Sequence, residues 1–233
     1  MLALENLQVN YGKSRVVTGV SLQLDDGGRL AVLGRNGVGK TTMLKCIMGL
    51  LPASGGHIFL NGKEISHLRP HERCRLGLAY VPQGREILPE LTVLENLQLG
   101  CLDLGDRKYT EQQTEQMLTY FPALREHLGR LGGLLSGGQQ QQLAVARALI
   151  TSPKILLMDE PTEGIQPNAV EELDHTLKRI SNETRLSFIL VEQNLDFARS
   201  MASRFVILQK GAVVCSGPMA GLNPSTARHY LTV

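Results

Sequence analysis

The chain has 233 residues, of which 42% are hydrophobic and 20% charged, and its formal net charge is +2. This composition is typical of a folded protein with a substantial core and excludes a largely disordered chain. With 4% aromatic residues, no tryptophan and no cluster of lysines and arginines, the sequence argues against a nucleic-acid-binding surface.

The N-terminal segment MLALENLQVNYGK lacks the basic start and apolar core of a signal peptide. No apolar run approaches the ~18 to 20 residues that cross a membrane. We therefore expect no signal peptide and no transmembrane segment. The cysteines have no C-x2-C spacing, so we expect reduced thiols rather than metal ligands or disulfides. They are Cys46, Cys74, Cys101 and Cys215.

Apolar residues alternate with polar ones over residues 2–9 and again over residues 16–24, which predicts antiparallel strands. Tyr11 lies in the turn between them, where its ring either stacks on a purine or packs against the protein. Further on, alternation ends at Asn61-Gly62, a two-residue signal for a tight hairpin.

Residues 30–50 are the stretch around which the chain is organised. The apolar run Leu30–Leu33 precedes a segment of helical period, and between them Gly34-x4-Gly39-Lys40-Thr41 has the spacing of a P-loop. Glycines in such a loop let consecutive N–H groups point into one concavity at a helix N-terminus, which suits an anion. Lys40 would add a charge for the β and γ phosphates, and the Thr41 hydroxyl would ligate Mg2+.

Residues 78–81 form an apolar strand that ends at Pro82, which leaves Gln83 at the carboxyl edge of the predicted sheet. Gln83 either offers its amide oxygen to the metal ion or its water, or is merely solvated. Residues 86–150 then change to helical periodicity. This change predicts a helical subdomain inserted into an α/β body.

Ser136-Gly137-Gly138-Gln139 opens the last helix of this region, with Ser136 as the N-cap. One interpretation is a plain cap with a polar first turn, in which residues 139–142 form a solvated face. The other is a second bare helix N-terminus that can hold an anion.

Ile155 to Met158 form a continuous apolar run that predicts a buried strand, and it ends in Asp159-Glu160. Placing two carboxylates at the end of a buried strand costs desolvation free energy unless a cation lies near them. A Mg2+ ion on the P-loop would be such a cation. Asp159 would then be the second anchor of the metal, and Glu160 would orient the attacking water. The alternative is a solvated acidic strand end.

The C-terminal third predicts alternating helices and strands. Residues 167–181 and 194–202 have helical patterns, residues 186–191 form a buried strand, and residues 205–208 with 212–215 form a closing strand pair.

Together these motifs resemble those of the ATP-binding-cassette ATPases, the nucleotide-binding subunits of membrane transporters. The similarity covers nearly the whole chain, with five motifs in the family order. Tyr11 matches the loop aromatic that stacks on adenine, and Gln83 matches the Q-loop. Residues 155–160 match Walker B with its catalytic glutamate. The Walker A loop matches Gly34, Arg35, Asn36, Gly37, Val38, Gly39, Lys40, Thr41 and Thr42, and the family signature matches Leu135, Ser136, Gly137, Gly138 and Gln139.

The resemblance implies an α/β fold with a P-loop NTPase core, a mixed sheet with helices, plus an antiparallel β subdomain and an inserted helical subdomain. We expect one domain over residues 1–233. Residues 1–85 and 151–233 would form the α/β core with the antiparallel part, and residues 86–150 the helical signature subdomain.

The resemblance also implies ATP and Mg2+ as ligands and a head-to-tail pair of subunits. Ser136, Gly137 and Gly138 of one subunit would close on the γ-phosphate bound by the other, so that ATP favours the closed pair and hydrolysis opens it. Expected partners are a second ATPase subunit, identical or not, transmembrane permease subunits contacted by residues 84–100, and indirectly a solute-binding protein. The protein would sit peripherally on the cytoplasmic face of the cell membrane, with no nucleic-acid partner.

Two positions depart from the family pattern. Gln193 replaces the switch histidine; it can donate an amide hydrogen bond to the γ-phosphate but carries no charge. Gln166 replaces the aspartate of the D-loop. Both changes bear on the rate of hydrolysis and on cross-site communication, but not on nucleotide binding. We expect Lys40, Glu160 and Gln193 as the catalytic set.

Residues 191–194, VEQN, and the short chain are similar to the second ATPase subunit of branched-chain amino-acid importers. Within that group, residues 82–86, 136–142 and 160–167 are most similar to the urea and short-amide branch. No residue here would touch the solute. The alternatives are a branched-chain amino-acid importer, a soluble cassette protein acting on DNA or ribosomes, and, because of Gln193 and Gln166, a non-hydrolysing regulatory subunit.

Overall fold

Two β-sheets with helices packed against them make up the structure, a computed structural model that describes residues 1–101 and 107–231. The strands are β1 (Leu2–Tyr11), β2 (Ser14–Leu24), β3 (Arg29–Leu33), β4 (Gly55–Leu60), β5 (Lys63–Glu64), β6 (Leu78–Val81), β7 (Ile155–Asp159), β8 (Ser187–Val191), β9 (Arg204–Gln209) and β10 (Ala212–Pro218). The α-helices are α1 (Lys40–Met48), α2 (Pro70–Arg75), α3 (Val93–Leu99), α4 (Arg107–Tyr120), α5 (Pro122–Arg125), α6 (Gly137–Leu149), α7 (Pro167–Thr184), α8 (Leu195–Met201) and α9 (Pro224–Leu231).

The first sheet has antiparallel strands in the order β2-β1-β4-β5. The apolar residues that alternate along β1 are buried, as a half-covered strand requires. Asn61 and Gly62 join β4 to β5, and their φ angles of 51° and 77° lie in the left-handed region that a type I′ hairpin turn uses. The antiparallel strands and the tight hairpin predicted from the sequence are confirmed.

The second sheet has the order β10-β9-β3-β8-β7-β6, and all of its strands except β10 run parallel. β7 and β8 are buried at every residue, which confirms the strands predicted from apolar runs. The closing pair β9 and β10 is also confirmed, and β6 is an edge strand. Because β3, β6, β7 and β8 are parallel, the loops that follow them meet at one edge of the sheet.

Both faces of this second sheet are covered. Side chains such as Leu157 and Ile189 pack with α1 and the antiparallel sheet in one core. The intervening side chains, such as Leu156 and Phe188, pack with α3 to α7 in another core. The result is the predicted α/β P-loop NTPase fold, a mixed sheet with helices and an additional antiparallel sheet.

The described part of residues 86–150 contains α3 to α6, which confirms the helical character predicted there; the division into subdomains stays a prediction. The interpretation of residues 139–142 as a solvated face is wrong for two of the four glutamines. Gln141 and Gln142 are only 3% and 7% exposed, because α6 packs against β6 and α7. The Gln142 amide donates a hydrogen bond of 3.0 Å to Glu172 of α7.

Candidate active site

Residues 34–39 form the loop between β3 and α1, and all three of its glycines have positive φ angles that other residues rarely adopt. Gly34 has a φ of 149°, and a Cβ there would lie 2.5 Å from the carbonyl oxygen of Leu208. Gly39 has a φ of 106°, and a Cβ would lie 2.9 Å from the carbonyl oxygen of Val16. Both positions therefore require glycine to let neighbouring backbone approach the loop.

Lys40 is the first residue of α1 and is almost fully buried. Its Nζ donates hydrogen bonds to the carbonyl oxygens of Gly34 at 2.7 Å and Arg35 at 3.0 Å, and it lies 3.7 Å from Glu160 Oε1. Burial lowers the pKa of Lys40, whereas the carboxylates of Glu160 and Asp159 act in the opposite direction. The ammonium group is thus held at the base of the loop by carbonyl oxygens and a carboxylate.

A cavity of about 460 Å3 opens beside this lysine where the strand ends converge. Thr41 of α1, Gln83 after β6 and Glu160 after β7 line it together with Lys40. The remaining lining residues are Val16, Asn36, Gly37, Gly39 and Thr42. The structure therefore brings together side chains that the sequence places far apart and assigns to one site.

Asp159 ends β7 and is fully buried next to this cavity. The Tyr80 hydroxyl donates a hydrogen bond to its Oδ2 at 3.3 Å, whereas its Oδ1 has no hydrogen-bond partner among the described residues. Burial raises the pKa of Asp159, and a hydrogen bond from Thr41 opposes this shift. A buried carboxylate oxygen without a partner is suited to a cation.

The oxygen-bearing side chains around this cavity fit Mg2+, which proteins usually bind through one or two carboxylates together with hydroxyls, waters and phosphates of the substrate. Asp159 offers the carboxylate, and Thr41 offers a hydroxyl at the cavity wall. Gln83 offers an amide oxygen, while its amide nitrogen donates a hydrogen bond of 3.0 Å to Glu163. Of the three metal ligands predicted from the sequence, Thr41 and Gln83 line the cavity, and Asp159 is buried directly before Glu160, which also lines it.

Glu160 is 8% exposed and has a φ of 48°, an unusual value for a residue other than glycine. Its N–H donates to the carbonyl oxygen of Val191 at 2.9 Å, which ties it to the end of β8. The side-chain amide of Gln193 donates to Glu160 Oε2 at 2.8 Å. Gln193, predicted to face a phosphate, therefore contacts the predicted catalytic carboxylate.

Glu192 is a buried carboxylate that the sequence-based site did not include. Its Oε1 accepts hydrogen bonds from the N–H and hydroxyl of Thr162, and its Oε2 accepts from the N–H groups of Gln193 and Asn194. It thereby joins the loop after β7 to the loop after β8. Its position directly after an apolar strand is the signal that singled out Asp159, and it could have identified Glu192 as well.

The first turn of α6 carries the predicted signature residues. Ser136 and Gln139 form a reciprocal capping box, since each side chain accepts a hydrogen bond from the backbone N–H of the other. The structure confirms the N-cap. A Cβ at Gly138 would come within 2.6 Å of the Cβ of Ala169 in α7, so close helix packing requires this glycine. Within the described part of one chain, this turn does not line the cavity around Lys40.

Tyr11 ends β1 and is half exposed. It lines a separate cavity of about 420 Å3, which Lys45, Tyr80 and Arg147 also line. The structure therefore places Tyr11 beside the candidate site but not on the cavity that contains Lys40. Its contact with adenine stays a prediction.

Comparisons with known proteins agree with this geometry. A family model described as ABC transporter matches residues 17–163. A probable branched-chain amino acid transport ATP-binding protein, LivF, of Archaeoglobus fulgidus is 36% identical, over 93% of this chain and 92% of its own length. The high-affinity branched-chain amino acid transport ATP-binding protein BraG of Pseudomonas aeruginosa is 34% identical over 99% of both chains.

Solved structures lead to the same family. The ADP conformation of an ATP-binding cassette of an ABC transporter matches with a TM-score of 0.87 and 26% identity, covering 100% of this chain and 99% of that chain. A dimeric cassette bound to ADP and Pi matches with a TM-score of 0.84 and 26% identity, covering 95% of this chain and 100% of that chain. None of the helices in residues 1–101 and 107–231 has the length and apolar character to span a membrane. The chain belongs to the ABC transporter family and is an ATP-binding, ATP-hydrolysing subunit of that family.

Proposed function

We propose that this chain drives the uptake of a small solute by hydrolysing Mg-ATP in the cavity between the 34–39 loop and the end of β7. The observation that carries the proposal is the convergence of Lys40, Thr41, Gln83 and Glu160 on one cavity beside the buried Asp159. Cation, hydroxyl, amide and carboxylate are the groups that phosphoryl transfer from a magnesium nucleotide uses.

Each side chain has a distinct role in this proposal. Lys40 and the N–H groups of residues 34–42 bind the β and γ phosphates. Thr41, Gln83 and Asp159 would hold Mg2+, which when bound neutralises phosphate charge. Glu160 orients and polarises the attacking water.

Gln193 would link Glu160 to the γ-phosphate. Its amide nitrogen has two N–H groups, and one of them donates to Glu160. The other is available to a γ-phosphate oxygen, so that a single side chain links the water-orienting carboxylate to the reacting phosphate. Because an amide does not titrate near neutral pH, Gln193 adds no titration of its own to the pH dependence of hydrolysis.

A second subunit completes the site. In one chain the turn of Ser136 to Gln139 lies apart from the cavity, so we assign it to the γ-phosphate bound by a partner ATPase. Tyr11 would stack on the adenine from the neighbouring cavity. Each ATP is then shared between two subunits, and binding is coupled to closure of the pair.

The permease would bind in a groove at the open edge of the six-stranded sheet. This cavity of about 840 Å3 lies between the α2–β6 region and α3 and α6, and its lining includes Leu76, Leu99 and Ala148. Its mostly apolar character suits a cytoplasmic loop of a transmembrane subunit, and Leu99 and Gly100 belong to the predicted coupling segment, residues 84–100. The chain would then sit on the cytoplasmic face of the cell membrane, with a solute-binding protein reached only through the permease.

Two solute classes are candidates. The motif similarity within residues 82–86, 136–142 and 160–167 favours urea or short amides, whereas the relatives named above favour branched-chain amino acids. Uptake of radiolabelled urea and of leucine by cells with and without this chain distinguishes the two classes.

The test of the proposal is Mg-ATP hydrolysis by the purified chain, alone and mixed with its partner ATPase, compared with the Lys40→Ala and Glu160→Gln variants. We expect turnover in the wild type only, and recovery of membrane permeases when the tagged chain is captured from detergent-solubilised membranes. Absence of Mg-ATP binding would contradict the proposed site. Capture of ribosomes or DNA in place of permeases would favour a soluble cassette function, and a wild-type rate equal to that of Glu160→Gln would favour a regulatory subunit.

A further inference from the structure

Arg85 follows the predicted Q-loop glutamine in a turn of unusual backbone geometry. Gly84, Arg85 and Glu86 have φ angles of 79°, 71° and 44°, so two consecutive residues other than glycine occupy the left-handed region. Such conformations persist where surrounding contacts impose them. Here the guanidinium of Arg147 in α6 donates to the carbonyl oxygens of Glu86 at 2.7 Å and Arg85 at 3.4 Å.

The Arg85 side chain joins two segments that are distant in sequence. Its Nη2 donates to the carbonyl oxygens of Gly164 at 3.0 Å and Glu163 at 3.3 Å, in the loop after β7. Its Nη1 donates to the side-chain oxygen of Gln140 at 3.1 Å, in the first turn of α6. One planar group thus holds both segments, a geometry that the single ammonium of lysine does not reproduce.

The same guanidinium packs closely on the signature turn. A Cβ at Gly137 would lie 3.3 Å from both terminal nitrogens of Arg85 and 3.3 Å from the carbonyl oxygen of Gly164. Gly137 therefore leaves room for the bridge inside its own chain, in addition to any role toward a nucleotide.

The loop that Arg85 holds is itself attached to the hydrolytic residue. The N–H of Glu163 donates to the carbonyl oxygen of Glu160 at 3.1 Å, and the Glu163 carboxylate accepts from Gln83. Glu163 therefore contacts both Glu160 and Gln83, and its carbonyl oxygen and that of its neighbour Gly164 contact Arg85.

We propose that Arg85 is a positioning residue that couples the loop of residues 160–164 to the first turn of α6, so that a nucleotide in one cavity repositions the signature turn of the same subunit. This inference rests on the proposed function, because the cavity must bind a nucleotide. It concerns communication between two surfaces of one chain, and Arg85 need not contact the nucleotide.

Amide hydrogen exchange tests the coupling at protein concentrations where sedimentation shows monomers with and without Mg-ATP. In the wild type we expect Mg-ATP to slow exchange both in residues 34–42 and, by roughly fivefold or more, in residues 135–141, on the scale of a modest coupling free energy. Arg85→Gln should keep the first change and lose most of the second. Arg85→Lys should lie between these two results.

Further variants separate coupling from folding. Gln140→Leu removes the acceptor on α6 and should reproduce Arg85→Gln, whereas Gln140→Glu keeps an acceptor and should retain the wild-type response. Arg204→Gln changes an exposed arginine of β9 and should also respond as the wild type does.

Equal protection of residues 135–141 by Mg-ATP in wild type and Arg85→Gln would overturn the proposal. So would faster exchange across the whole Arg85→Gln chain without nucleotide, since that result indicates a purely structural role. If Mg-ATP did not slow exchange in residues 34–42 of the wild type, that result would instead contradict nucleotide binding itself.

Discussion

Burial disfavours the positive charge of Lys40 and lowers its pKa, and the Glu160 carboxylate 3.7 Å away offsets this effect only in part. A phosphate group would supply a closer and more highly charged partner. The residue is therefore positioned to gain binding energy from an anion rather than from its own chain.

Lys40→Ala should weaken ATP binding by roughly tenfold to a hundredfold, since hydrogen bonds to charged groups contribute about 1.5–3 kcal/mol each. Titration calorimetry with Mg-ATP measures the effect. Lys63→Ala, at an exposed position of β5, is the matched control and should bind as the wild type does. An unchanged affinity in Lys40→Ala would remove the loop from the nucleotide site.

Glu192→Gln tests the carboxylate that joins the loops after β7 and β8. A carboxylate accepts all four hydrogen bonds, whereas an amide turns its NH2 group toward two of the donors. We expect the free energy of unfolding to fall by roughly 1–3 kcal/mol, and kcat to fall more than ATP affinity, because Gln193 loses its support. A variant with wild-type stability and kcat would show that Glu192 positions neither loop.

The pH dependence of stability provides a separate test of Glu192. Burial raises the pKa of this carboxyl above its usual value of 4.5, so the native state binds its proton more tightly than the unfolded state does. The free energy of unfolding contributed by this group therefore decreases as pH rises from 4.5 through the native pKa. Urea unfolding across this range should show the decrease in the wild type and a smaller one in Glu192→Gln. Identical pH dependence would contradict the assignment.

At the scale of elements, helix α1 is anchored at its C-terminal end by a buried arginine. The loop of residues 34–39 leads into the N-terminus of α1. At the other end, the carbonyl oxygens of Cys46 and Ile47 accept hydrogen bonds of 2.7 Å and 2.8 Å from the buried Arg73 of α2. Arg73 also donates to the carbonyl oxygens of Leu68 and Ser66. A cation at a helix C-terminus is favoured by the helix dipole, and here four carbonyl oxygens replace its water.

Arg73→Met should lower the free energy of unfolding by at least about 3 kcal/mol, because buried carbonyl oxygens lose their donor. It should also weaken Mg-ATP binding, since α1 positions the loop. Thermal unfolding and calorimetry measure the two effects. Arg69→Met, whose partner Glu72 is on the surface, should cost less than about 1 kcal/mol. Equal losses in both variants would show that Arg73 does not anchor α1.

The elements that were predicted correctly are those with a local signal. β7 and β8 are continuous apolar runs, and Asn61-Gly62 marks its own hairpin. The six-residue α2 was missed because it is too short for periodicity, and the burial of Gln141 depends on which face of α6 docks on the sheet. Both are decided by packing between elements rather than by local sequence.

The same distinction applies to the candidate site. Lys40, Thr41, Asp159 and Glu160 were predicted from motifs at strand ends, and the parallel sheet brings Lys40, Thr41 and Glu160 to one cavity with Asp159 buried beside it. The Arg85 bridge was not predictable, because it joins positions 55 and 79 residues apart in sequence. Contacts of that range follow from the tertiary fold.

At the scale of the whole molecule, one chain presents two separate features that we propose bind phosphate. The cavity at Lys40 and the first turn of α6 do not share lining residues among those described, although both suit a phosphate. If a second subunit placed its α6 turn over the Lys40 cavity of the first, both features would bind the same nucleotide. The oligomeric state should then depend on ATP.

Glu160→Gln should therefore accumulate ATP-loaded dimers, alone or mixed with the partner ATPase. The variant keeps Lys40 and the loop, so Mg-ATP still binds and closes the pair, while hydrolysis slows by about a hundredfold or more because the water loses its orienting base. Sedimentation velocity with and without Mg-ATP measures the dimer, and phosphate release measures turnover. Adding Lys40→Ala to the same chain should abolish the dimer, which excludes association unrelated to nucleotide. Normal turnover in Glu160→Gln, or monomers at saturating Mg-ATP with the partner present, would contradict a nucleotide shared between two subunits.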